Sequence, residues 1–116
     1  MLRQVLVLQL SKLGVSADAA ASGMEALSLY QDRRYRLIFM DIQMPGMDGL
    51  ETTRTIRRRE LELGIEPVPI IAVTGASDRK HCLEAGMTDF AQKPLMVEAL
   101  QHLLARWFKP YKLAEN

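Results

Sequence analysis

Two nearly unbroken apolar runs, "RLIFM" (36–40) and "VPIIAVT" (68–74), most constrain what this chain can fold into. A strand with one wet face alternates apolar and polar residues, whereas a strand covered on both faces reads as a continuous apolar run. Pro69 falls near the start of the second run, where a missing N–H is tolerated. Helical patterns surround these runs. Leu2, Val5, Leu6, Leu10 and Leu13 share one helical face, and Gly14 stands where a C-terminal cap belongs. "VSADA" (15–19) alternates weakly and reads as a strand, although alanine is a poor strand former. Ser22 and Glu25 form a capping-box pair that opens a helix through Arg33, with Ala26, Leu27 and Tyr30 inward. Asp48 and Glu51 form a similar pair, opening a helix to about Leu63 with Leu50, Thr53 and Ile56 inward.

Residues 77–86 read as a short helix ended by Gly86, "DFAQ" (89–92) as a short strand, and Met96 to Phe108 as a final helix. That helix carries Leu100, Leu103, Leu104 and Trp107. Strands alternating with helices give an α/β fold, a doubly wound parallel sheet with helices on both faces. Such sheets bind ligands beyond the carboxyl ends of their strands.

The bulk numbers fit one such domain. At 116 residues and 48 % hydrophobic content, the chain can support a single core. Fifteen basic and fourteen acidic residues leave a net charge of +1, so no overall field directs it to nucleic acid or to a membrane surface. The single cysteine, Cys82, rules out an internal disulfide framework and suits a reducing, cytoplasmic setting. No apolar run approaches the roughly 20 residues that span a bilayer. "MLRQVLVLQLSKLG" lacks the features of a signal peptide, and the tail beyond Phe108 (109–116) reads as a linker.

Asp41 follows the first buried run directly, and burying a carboxylate is costly unless it is paired, hydrogen-bonded or metal-bound. Thr74 and Lys93 stand at the ends of two other predicted strands. Parallel strands would bring an anion, a hydroxyl and an ammonium to one sheet edge. There a carboxylate can attack phosphorus, a hydroxyl can donate to a phosphoryl oxygen, and an ammonium can balance its charge. Gly75 and Ala76 leave room beside Thr74. Singly, each residue has an ordinary explanation as a loop cap, a strand end or a solvated charge. Their equivalent placement makes the set informative.

At these residues the chain resembles the receiver domain of two-component response regulators and hybrid histidine kinases. The resemblance rests on "MDIQMPGMDG" (40–49), "PIIAVTG" (69–75), "CLEAGMTDF" (82–90) and "QKPL" (92–95). It implies a flavodoxin-like receiver fold over residues 1–108, most like the receiver of a hybrid sensor kinase. It also implies that Asp41 accepts a phosphoryl group from a histidine kinase or histidine phosphotransfer domain. Thr74 would follow that group, Lys93 would be its ion partner, and Phe90 would be the aromatic switch. Mg²⁺ would be held by Asp41 and the backbone carbonyl of Gln43. The implied location is cytoplasmic, with tethering through an upstream sensor kinase as the route to a membrane.

Two departures qualify the resemblance. Receivers begin with a buried strand ending in two adjacent acids, whereas this sequence starts within the helix that follows. None of its fourteen acidic residues adjoins another. The expectation is a receiver without its first strand, through truncation or a misannotated start, and with weakened Mg²⁺ binding. The stretch from Thr74 to Gly86 is also shorter than the family pattern by about one helical turn.

The alternative reading is a degenerate receiver kept for docking alone. A haloacid dehalogenase-type phosphatase would need a second Asp where Gln43 stands, so the chain reads as a phosphoacceptor rather than an enzyme. His81 and His102 lack metal-ligand spacing, and Cys82 reads as a small buried hydrophobe. Arg57, Arg58 and Arg59 read as cations at a helix end. Met40, Met44, Met47 and Met87 belong to the motif and the core, with no cofactor box.

Overall fold

A computed structural model describes residues 10, 13–14, 18–20, 22–32, 35–41, 49–75, 79–92 and 95–108. Four helices and three strands lie among them: α1 (Gly23–Asp32), β1 (Ile38–Asp41), α2 (Gly49–Leu63), β2 (Ile70–Thr74), α3 (Arg79–Glu84), β3 (Asp89–Gln92) and α4 (Val97–Trp107). The strands form one parallel sheet in the order β1-β2-β3. Every residue of β2 is buried, as its unbroken apolar run requires.

Alternation along the strands divides the core between the two sheet faces. Ile38, Met40, Ile70, Ala72 and Phe90 pack with Leu27 of α1, Ile56 of α2 and Cys82 of α3. Phe39, Ile71, Val73 and Ala91 pack with Leu10 and with Leu100 and Leu104 of α4. Helices therefore cover both faces, and the expected doubly wound arrangement is present.

The helix boundaries follow local chemistry. Ser22 caps α1, its Oγ accepting from the Glu25 N–H at 3.2 Å. At the end of α2, Gly64 takes a left-handed φ of 65°. Its N–H donates to Leu61 O, and the Ile65 N–H donates to Glu60 O, a Schellman arrangement. The same pattern closes α3 at Gly86, the helix stop expected there, with Gly86 N–H donating to Leu83 O and Met87 N–H to Cys82 O. Met96 and Phe108 flank α4 as its N- and C-caps, matching the predicted span.

Two expectations need correction. Asp18 and Ala19 are not in a strand. Both are exposed, and the Asp18 carboxylate instead accepts from the Tyr35 hydroxyl at 2.6 Å. The weak alternation of 15–19 lacks the large apolar side chains that would hold a strand in the sheet, and positions 15–17 lie outside the described residues. Arg57, Arg58 and Arg59 do not end a helix, because α2 continues to Leu63 and has no basic residue in its last turn. The predicted helix over the first thirteen residues and the tail at 109–116 lie outside the described residues, apart from Leu10, which is helical, and Leu13, which is in a turn.

Candidate functional site at the carboxyl edge of the sheet

Parallel pairing fixes which side chains meet at the sheet's carboxyl edge. Asp41 is the last residue of β1 and is in register with Val73, so Thr74 stands one step farther along the adjacent strand. Thr74 is in turn in register with Gln92, the residue before Lys93 in the sequence. Asp41 is half-buried, whereas Thr74 is 1 % exposed. A Cβ added at Gly75 would meet nothing within 4 Å, so there is open space just past the Thr74 strand end. Of the predicted site residues, the described sheet brings Asp41 and Thr74 together. Lys93 and Gln43 lie outside the described residues.

Phe90 is paired with Ala72, two residues before the pairing of Gln92 with Thr74. Because strand side chains alternate, Phe90 and Thr74 share one sheet face, separated along it by about 7 Å. The Phe90 ring is partly buried against the core beneath α1, α2 and α3.

Among the described residues no group of three or more His, Cys, Asp or Glu side chains could hold a metal ion. Asp41, the last residue of β1, offers one carboxylate toward the near-octahedral oxygen shell that Mg²⁺ requires. His81 and His102 are exposed helix residues, and Cys82 is fully buried among apolar neighbours, as expected of each.

Polar networks at the other end of the strands escaped the sequence reading. Glu60 is only 3 % exposed and accepts from three donors. These are Arg57 Nη1 at 2.7 Å, the Tyr30 hydroxyl at 2.9 Å and the Val68 N–H at 2.7 Å. Arg57 also donates through Nε to Gly86 O at 2.8 Å and through Nη2 to Thr88 Oγ1 at 3.3 Å. The first arginine of the run is therefore engaged inside the fold. The available signal was spacing: Glu60 falls four residues after Ile56, on the inward helix face, with Arg57 three residues before it. Asp89 forms a second network, with Phe90 N–H, Trp107 Nε1 and Arg106 around its carboxylate.

Comparisons with known proteins bear on the family and the fold. The family model for the response regulator receiver domain matches residues 1–105. The hybrid signal transduction protein dokA of Dictyostelium discoideum is 41 % identical over 106 residues, which cover 91 % of this chain and 6 % of dokA. The chain thus spans a small part of the curated relatives it matches.

Among solved structures, the receiver domain of sensor histidine kinase PA1611 from Pseudomonas aeruginosa is 38 % identical with a TM-score of 0.80. That match covers 91 % of this chain and 87 % of the PA1611 receiver, whose active-site cleft holds a coordinated magnesium ion. The receiver domain of Saccharomyces cerevisiae Ssk1, crystallised with the histidine phosphotransfer protein Ypd1, gives a TM-score of 0.87 at 30 % identity. It covers 91 % of this chain and 80 % of the Ssk1 receiver chain. Among the described residues, no helix is long and apolar enough to cross a membrane.

Proposed function

Since the chain belongs to the response regulator receiver domain family, we propose that it is the phosphoacceptor of a phosphorelay, with Asp41 as the residue phosphorylated. The observation that carries this reading is the placement of Asp41 and Thr74 at adjacent parallel strand ends, one register step apart. A carboxylate oxygen of Asp41 attacks the phosphorus of a phosphohistidine. The new O–P bond forms as the P–N bond breaks, and the imidazole leaves with the electron pair and takes up a proton. The buried Thr74 hydroxyl donates to a phosphoryl oxygen, while the Lys93 ammonium balances the added negative charge. When bound, Mg²⁺ supplies further charge neutralisation. Gln43 would offer it a backbone carbonyl and Asp41 a carboxylate oxygen.

The donor is a histidine phosphotransfer domain or histidine kinase, the class to which Ypd1 belongs. The product is an acyl phosphate, so the chain serves as a signalling module that is itself the substrate. Its likeness to dokA supports a place within a longer hybrid kinase. The test is transfer of labelled phosphate from a phosphorylated histidine phosphotransfer domain to the chain and to Asp41→Asn. Base-labile label is expected on the first and none on the second. Equal labelling of both would overturn the reading.

A further inference from the structure

Among the described residues β3 is a margin of the sheet, whose order is β1-β2-β3. The backbone groups it turns outward follow from the pairing, because successive residues of a strand face opposite neighbours. The Ile38 N–H donates to Pro69 O, so Pro69, and with it Ile71 and Val73, faces β1. The Thr88 N–H donates to Ile70 O, and the Ile70 N–H donates to Thr88 Oγ1. Ile70, Ala72 and Thr74 therefore face β3. In a parallel pair the slanted bonds run to the residues on either side of the register partner. Ala72 is in register with Phe90. Asp89 and Ala91 are thus the residues turned toward β2, while Phe90 and Gln92 turn their N–H and C=O groups outward.

An outward row of backbone donors and acceptors is a template for another strand. On β3 that row is covered at Phe90. Asp89 Oδ1 accepts from the Phe90 N–H at 2.8 Å, and Oδ2 accepts from the indole Nε1–H of Trp107 at 2.7 Å. Arg106 Nη1 lies 3.8 Å from the same Oδ2, and its guanidinium sits 5.4 Å from the Trp107 ring centre. The Asp89 side chain is only 18 % exposed, so little water competes for these bonds. The carboxylate is held over the edge from the α4 side.

Two copies meeting at this edge would pair antiparallel about a two-fold axis at Ala91, with Phe90 of one facing Gln92 of the other. Each such pair exchanges two N–H···O bonds, and the Phe90 N–H is one of the donors it requires. We infer that Asp89, pinned by Trp107, keeps the outer edge of β3 closed to strand pairing with a second copy of this chain. The device asks nothing of Asp41 and holds whether or not that residue is phosphorylated.

The test compares Asp89→Ala with the unmodified chain by sedimentation over a range of concentrations. Freeing one donor per copy should tighten self-association by about 10- to 100-fold. Amide hydrogen exchange locates the contact. In dilute Asp89→Ala the Phe90 amide should exchange several-fold faster than in the unmodified chain. Raising the concentration should then slow exchange at Phe90 and Gln92, the outward residues, and leave Asp89 and Ala91 unchanged. Trp107→Phe is a second arm that keeps Asp89 and an aromatic ring but removes the donor to Oδ2. There the Phe90 amide should exchange several-fold faster while Ala91 stays as it was.

An Asp89→Ala chain that sediments like the unmodified one at every concentration would overturn the inference. So would association that leaves Phe90 and Gln92 unprotected, since the copies would then meet elsewhere. Phe90 exchange unaffected by Trp107→Phe would overturn the pinning, and this arm decides the matter if Asp89→Ala does not fold.

Discussion

Thr74 lies one register step beyond Val73, the strand partner of Asp41, so the hydroxyl and the carboxylate end adjacent parallel strands at the same sheet edge. The hydroxyl is carried by a strand that is buried throughout, which fixes its backbone at that edge. Preorganised donors of this kind act on the charge of the transferring group. Thr74→Ala should therefore slow phosphoryl uptake by about 10- to 100-fold, while Thr74→Ser keeps most of it. Initial rates of label transfer from a phosphorylated histidine phosphotransfer domain check both variants. Equal rates for Thr74→Ala and the unmodified chain would remove Thr74 from the reaction.

Glu60 anchors the opposite end of the strands. Its replacement by Ala leaves Arg57, the Tyr30 hydroxyl and the Val68 N–H without their acceptor. Removing one member of a buried, hydrogen-bonded charge pair costs about 3–5 kcal/mol, and the partial exposure of Arg57 (19 %) lowers the expectation to about 2–4. Urea unfolding should show that loss as a lower midpoint with an unchanged slope. A midpoint within error of the unmodified chain would mean that the network contributes nothing net.

Gly64 and Gly86 both take left-handed φ angles, 65° and 102°, but only Gly86 is crowded. A Cβ there would stand 3.0 Å from Arg57 Cγ, whereas at Gly64 it would meet nothing within 4 Å. Gly64→Ala should cost about 1–2 kcal/mol from backbone strain alone. Gly86→Ala should cost more, because Arg57 must also shift from Gly86 O and from Glu60. Parallel thermal melts give the ranking, and the reverse order would contradict the packing described.

These 116 residues should bind Mg²⁺ more weakly than the PA1611 receiver, because no two of their fourteen acids are adjacent. An NMR titration following the Asp41 amide in this chain, run beside the same titration of the PA1611 receiver, measures the difference. Saturation of both at the same Mg²⁺ concentration would show that other oxygens complete the cage.

The architecture was legible because "RLIFM" and "VPIIAVT" read as strands covered on both faces, and the short helix that follows them carries a clear stop signal at Gly86. The carboxyl-edge pair was legible for the same reason: Asp41 and Thr74 each end such a run. The 15–19 segment misled because a two-residue period in small side chains carries no burial energy. Glu60 and Asp89 were hidden because a charged residue looks the same in sequence whether it is solvated or clasped by donors. Only tertiary packing brings Tyr30 and Val68 to one carboxylate, and Trp107 to the other.

The most direct test of the central claim is to identify the residue that carries the phosphoryl group. The chain is phosphorylated by a histidine phosphotransfer domain and reduced with borohydride, which converts an aspartyl phosphate to homoserine, and its peptides are sequenced by mass spectrometry. Homoserine at position 41, absent from Asp41→Asn and from the unphosphorylated chain, is the result this account predicts. Homoserine at another aspartate, or stable phosphate on a hydroxyl residue with position 41 unmodified, would contradict it.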